Sequence, residues 1–224
     1  MRQHEEFGGE CEVSHPHQTV VRGDVVWVVD LGCDAVWQFR HRAGADRLER
    51  VGATRTPAGC GPRHMALHPS KPLAFLLCEQ DSLVLVYRFP PPLSSLLSLN
   101  SSFLRRIQTD GGLTETQRLP LSSHRGDYGA EILVNTAGDR LYASSRGSGV
   151  LLVYRITGDR LEREENMFNM SGSWPRHFAL RENILVTTDQ RGRSAQVVHI
   201  DSQGLLLPGK TFTVEEQPAF VTFL

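Results

Sequence analysis

Apolar residues along the chain fall in short runs rather than on helical faces. Val25–Val29, Leu73–Leu77, Leu83–Tyr87 and Val150–Tyr154 are rich in β-branched, leucine and aromatic side chains. Each run is bounded by Gly, Asp, Ser or Pro, the residues that end strands and make turns. No stretch longer than about ten residues keeps a 3.6-residue apolar period. The pattern predicts an all-β chain of many short strands, hence a barrel, a sandwich or a propeller.

Internal repeats decide among the three. Gly61-Pro-Arg-His-Met-Ala-Leu67 recurs as Trp174-Pro-Arg-His-Phe-Ala-Leu180, and Leu83-Val-Leu-Val-Tyr-Arg-Phe89 recurs as Val150-Leu-Leu-Val-Tyr-Arg-Ile156. Weaker copies stand at Ala35–Phe39 and Ala195–Ile200. Aligned, they divide the chain into four units of about 15–60, 61–125, 126–173 and 174–224. The second is long because it contains the low-complexity segment 90–102, read as an outer-loop insertion. Its strands are expected near 64–68, 73–78, 82–89 and 113–119. A repeat of about 40–50 residues with four strands is a propeller blade. The expected fold is therefore a β-propeller of four-stranded antiparallel blades in one domain. Four units make a small ring and the first residues, Met1–Ser14, carry no strand pattern. A partial propeller, about four blades of a larger ring, is the expectation.

Charge and cysteine usage narrow the function. The 224 residues carry 24 Lys+Arg and 25 Asp+Glu, a formal net charge of −1. No strong field draws the chain to nucleic acid or to an anionic membrane. No apolar run approaches the roughly 20 residues of a membrane helix, and the first residues hold no apolar signal segment. Cys11, Cys33, Cys60 and Cys78 form no CxxC or Cys/His metal pattern. They are expected to be buried or free thiols, in a cytoplasmic protein. No P-loop, dinucleotide-binding glycine run, G-x-S-x-G or calcium loop is present, so neither cofactor nor metal is expected.

Blade geometry gathers the candidate chemistry. In an up-and-down blade, the start of strand one and the end of strand two lie on one face. That rule brings His15, His17 and Asp30 of the first unit to one channel mouth. Arg63, His64 and Glu79 of the second join them, with Glu131 and Arg146 of the third and Arg176 and His177 of the fourth. Asp30, Glu79, Arg146 and Asp189 read as one repeated position whose residue varies, as a site grafted on a scaffold would vary. Pro-Arg-His occurs twice, which makes His64 and His177 hydrogen-bonded blade connectors. Arg63 and Arg176 suit a carboxylate or phosphate clamp.

Six segments, in order, resemble the lactonase family of seven-bladed propellers, with its cycloisomerase-type 6-phosphogluconolactonases and carboxymuconate-lactonising enzymes. They are Ser14–Gln18, Val29–Asp34, Gly61–Pro69, Tyr128–Ile132, Tyr142–Gly147 and Trp174–Phe178. The resemblance implies a lactonase-like hydrolase for a phosphorylated or carboxylated sugar-type lactone. It implies catalytic roles for His15 or His17, Arg63, Glu79 and Arg146, with Asp30, His64, Glu131, Arg176 and His177 toward the substrate. The family's chains are longer by about three blades at the N-terminus, which implies weak activity and self-association through open blade edges. The apolar end Ala219–Leu224 is expected to be a strand awaiting a partner. A non-catalytic binding propeller and a lactonising cycloisomerase are the rival readings. Convergent charge at the mouth favours an enzyme; an apolar exposed patch there favours a binding platform.

Overall fold

The computed structural model describes residues 11–224 except 12, 43, 91–111, 123, 125, 171 and 173. Most of the expected insertion at 90–102 thus lies outside the described residues. The described chain is built of sixteen strands in four antiparallel sheets, each wound in sequence order. Blade 1 holds β1 (Pro16–Arg22), β2 (Val25–Asp30), β3 (Ala35–His41) and β4 (Leu48–Arg55). Blade 2 holds β5 (Pro62–Leu67), β6 (Leu73–Cys78), β7 (Leu83–Arg88) and β8 (Thr114–Pro120). Blade 3 holds β9 (Tyr128–Val134), β10 (Arg140–Arg146), β11 (Val150–Thr157) and β12 (Arg160–Asn169). Blade 4 holds β13 (Pro175–Arg181), β14 (Ile184–Asp189), β15 (Ser194–Ile200) and β16 (Leu206–Thr213).

The runs read as strands are strands because both of their faces are covered. Along β6, Leu73, Phe75 and Leu77 pack toward blade 3, while Ala74, Leu76 and Cys78 pack toward blade 1. A strand sandwiched this way must be apolar at every position. The outermost strands β4 and β8 are mostly exposed, which accounts for their polar sequence. Three apolar clusters lie between successive blades. The first strands β1, β5, β9 and β13 contact one another in turn and so lie innermost.

The first strand repeats one irregularity. The pairing register shifts after Pro16, Pro62 and Pro175. The amides of Leu31, Glu79 and Gln190 donate to the carbonyls of His15, Gly61 and Trp174, one equivalent bond in three blades. Pairing of Tyr128 with Arg146 gives the third blade the same register. Leu31, Glu79, Arg146 and Gln190 are therefore equivalent. Asp30, Cys78, Ser145 and Asp189 form a separate series one residue earlier. The sequence alignment that put Asp30 and Asp189 level with Glu79 and Arg146 is corrected by one position.

Residues 217–224 carry the repeat onward without forming a regular strand. Pro218-Ala-Phe220 stands where Pro62-Arg-His64 stands in blade 2. Val221 N donates to His177 Nδ1 at 3.4 Å, as Met65 N donates to Gln18 Oε1 at 2.6 Å. The segment lies beside β13 as β5 lies beside β1.

One expectation is overturned. The four cysteines form disulfides, Cys11–Cys33 and Cys60–Cys78. The sequence hid this because each pair is brought together by folding: Cys60 precedes β5 and Cys78 ends the strand beside it. Such bonds persist in oxidising compartments, unlike the thiols expected of a cytoplasmic chain. Among the described residues, no helix is long and apolar enough to cross a membrane. The outward face of blade 1 is partly covered, with Val21 left 63% exposed on it. Trp37 is fully buried there, with the Arg50 and Arg55 guanidiniums 4.4 and 5.4 Å from its ring centroid.

Candidate functional site

The inner strands begin, and their neighbours end, at one mouth of the blade array. Two charged layers meet there. In the first, Glu79 at the end of β6 receives two guanidiniums. Arg63 Nε of β5 lies 3.0 Å from Oε2, and Arg146 Nη2 of β10 lies 3.0 Å from Oε1. Both arginine side chains are almost wholly buried, whereas Glu79 keeps 23% of its side-chain surface. Small residues make the convergence possible. Ala130, equivalent to Arg63, leaves its own carbonyl to accept from Arg63 Nη1. Gly129 donates to the Glu79 carbonyl at 3.1 Å and accepts from Arg146 Nη2 at 2.9 Å. A Cβ there would lie 2.5 Å from the Cys78 carbonyl, so only glycine lets blade 3 come this close.

In the second layer, Glu131 of β9 joins three blades. His64 Nδ1 lies 2.8 Å from its Oε1, and His177 Nε2 lies 2.9 Å from its Oε2. Burial pushes the Glu131 carboxyl up, but hydrogen bonding from His177 and His64 outweighs it and holds the group at about 2. Burial lowers His64, against the pull of Glu131. The pair is an ionised carboxylate facing a neutral imidazole. The connector reading of His64 and His177 matches this geometry.

His17 sits at the junction of the layers. Its ring centroid lies 4.8 Å from that of His64. Burial first, then the charge of Arg63, pulls its pKa down to about 4. It is therefore neutral at neutral pH, and its Nδ1 has no partner among the described residues. His15 is exposed, with its ring 6.4 Å from His17. Its backbone amide, not its ring, is engaged, by Asp30. Of the two histidines that spacing left open, His17 is thus half-buried and His15 exposed.

Burial first, then the charge of Arg146, brings Arg63 down to about 10, so it stays cationic at neutral pH. Arg176, half-buried on β13, meets only Gln190 Oε1, at 3.3 Å, and pairs with no carboxylate among the described residues. Asp30 is not part of the cluster. It is fully buried and accepts from Ser14 Oγ, His15 N, Cys33 N and Trp37 Nε1. Asp189 likewise accepts from Trp174 N and Gly192 N. This recurrent bond to the residue three ahead and to the strand-one entry makes the aspartate a turn device. Asp30 has no oxygen left to face a substrate, which corrects its expected role.

The charge-based reading overlooked two aromatic residues at the same mouth, Tyr128 and Trp174. Their ring centroids lie 6.1 Å apart, and the Arg146 guanidinium lies 5.8 and 5.6 Å from them. Their signal was available: they occupy the residue just before Gly129 and Pro175, a position held by His15 and Gly61 in blades 1 and 2.

Comparison with known proteins gives this geometry a context. The sequence matches the family described as "Lactonase, 7-bladed beta-propeller" over residues 2–223. It is 28% identical over 204 residues to a 6-phosphogluconolactonase of Pectobacterium carotovorum, covering 89% of this chain and 57% of the relative. It is 25% identical over 169 residues to one of Bacillus subtilis, covering 74% and 44%. The chain thus spans about half the length of the curated relatives it matches. The fold is similar to that of a periplasmic gluconolactonase of Pseudomonas aeruginosa, with a TM-score of 0.78 at 21% identity over 92% of this chain and 56% of that one. A Lactobacillus plantarum protein gives the same TM-score at 24% identity, over 91% and 57%.

Proposed function

The chain belongs to the lactonase family of seven-bladed β-propellers, and on that premise we propose that its channel mouth binds and hydrolyses a phosphorylated or carboxylated sugar-type lactone. 6-Phosphogluconolactone is the first candidate, from the names of its relatives. The observation that carries the reading is the gathering of Arg63, Arg146 and Arg176 at a mouth whose carboxylates are Glu79 and Glu131. Three guanidiniums against two carboxylates leave a positive surplus suited to an anionic ligand.

Lactone opening needs a base for water, a cation for the oxyanion and an acid for the leaving oxygen. His17 is the base in this proposal. It is neutral at pH 7, and the charges of Arg63, Glu79 and Arg176 all act on it. It takes a proton as the water oxygen bonds to the lactone carbonyl carbon. The negative charge passes to the carbonyl oxygen, facing the arginines. Collapse breaks the ring C–O bond, and the ring oxygen takes the proton back from His17. The hydroxy acid then ionises, releasing one proton per turnover. Glu79 has both oxygens on arginines, so its part is to hold them in place and balance their charge. The four blades give one side of a seven-bladed channel, and slow turnover by this chain is part of the proposal.

The test is pH-stat titration of 6-phosphogluconolactone with the purified chain and with His17→Gln. Acid release above the spontaneous rate, lowered about a hundredfold or more in the variant, is expected. A rate equal to that of buffer, or one untouched by His17→Gln, would overturn it.

A further inference from the structure

The residue just before the first-strand register shift is His15, Gly61, Tyr128 or Trp174 in blades 1 to 4. One backbone position thus carries different side chains around the mouth. Gly61 raises no side chain beside Glu79, and Gln80 packs over it, while blades 3 and 4 each raise an aromatic ring. Tyr128 is 38% exposed and Trp174 is half-buried. Arg191, on the turn after β14, stacks with its guanidinium carbon 3.2 Å from the Trp174 ring centroid. That contact holds the indole in place. The rings stand 54° apart, and both lie within 6 Å of the Arg146 guanidinium.

From this arrangement we infer that Tyr128 and Trp174, with Arg191 stacked on the indole, form a subsite for the apolar face of a sugar-type ring whose anionic group lies on the arginines. The inference rests on the proposed function and adds specificity-determining residues to it. An aromatic surface beside a charge cluster suits a ligand that is ionic at one end and presents ring C–H groups at the other. A free inorganic anion would use the arginines and leave the rings untouched. An anionic ring would use both.

The experiment compares two probes on the intact chain. Glucose 6-phosphate carries both a pyranose ring and the phosphate, with no lactone bond to hydrolyse; inorganic phosphate carries the anion alone. Each is titrated by calorimetry into the wild type, Trp174→Leu, Tyr128→Leu and Tyr128→Phe. Tyr128 is exposed, so its variants report even where loss of Trp174 disturbs folding. The expected result is about tenfold weaker binding of glucose 6-phosphate to both leucine variants, retention in Tyr128→Phe, and phosphate affinity within about twofold throughout. Trp174 emission should also change on glucose 6-phosphate binding and not on phosphate binding. Unchanged glucose 6-phosphate affinity in the leucine variants, or equal loss for both probes, overturns the subsite and leaves the proposed function standing. Failure of the wild type to bind either probe overturns both.

Discussion

Glu79 Oε2 and Arg63 Nε lie 3.0 Å apart across the first hairpin of blade 2. The other Glu79 oxygen holds Arg146 of blade 3. One carboxylate therefore separates two buried guanidiniums that would otherwise repel. Glu79→Gln is expected to cost about 3 kcal/mol of stability, the scale for breaking a buried pair, and to slow lactone opening about a hundredfold by misplacing the arginines that face the oxyanion. Thermal unfolding and pH-stat rates check the two effects separately. Lost stability with an unchanged rate would leave Glu79 as a structural ion-pair partner alone.

Acid should destabilise the chain in two separate windows. The folded His17 pKa, about 4, lies below the ordinary 6.5. The unfolded chain then takes up the proton first, so the contribution is complete above pH 6.5 and is lost as pH falls toward 4. Glu131 is held at about 2 against an ordinary 4.5, so its contribution is complete above 4.5 and is lost as pH falls toward 2. Urea midpoints measured from pH 7 to pH 3 should fall throughout. His17→Asn should flatten the upper window and spare the lower one. A midpoint flat from pH 7 to pH 5 in the wild type would contradict the neutral, half-buried His17.

The disulfides yield a direct count. Thiol titration of the chain unfolded without reductant should find no free thiol, and four would contradict both bonds. Cys60–Cys78 closes a loop between positions 18 apart and ties the entry of β5 to the end of β6. Its removal by Cys60→Ser with Cys78→Ser should cost about 3 kcal/mol. The same change should loosen the Arg63–Glu79 pair, which the bond flanks, and raise KM more than it lowers kcat.

The far side of blade 4 leaves Leu207 and Phe212 of β16 exposed. An open blade face with apolar side chains favours association. Light scattering should show species larger than the 25.0 kDa chain, shifting toward monomer in Phe212→Asp. A monodisperse wild-type monomer would remove this prediction.

The strands were legible because the repeat writes each of them several times. Those expected at 64–68, 73–78, 82–89 and 113–119 stand at 62–67, 73–78, 83–88 and 114–120. The Arg63–Glu79–Arg146 cluster was legible for the same reason, since blade register alone carries each residue to the mouth. The one-residue error at Asp30 and Asp189 arose because a register shift inside the first strand leaves no mark in the hydrophobic pattern. Glu131 could be placed at the mouth, but not between His64 and His177, because that contact spans three blades. The cysteine pairs were hidden by the same dependence on packing. Tyr128 and Trp174 lay in plain view, but a search for charge passes over rings.

The most direct measurement is a crystal structure of the chain with 6-phosphogluconate at saturating concentration. The phosphate or carboxylate should lie within hydrogen-bond reach of Arg63, Arg146 or Arg176, with the His17 imidazole nearest the carboxyl carbon and the sugar skeleton against Trp174. A ligand bound elsewhere, or a mouth still empty at saturation, would contradict the account.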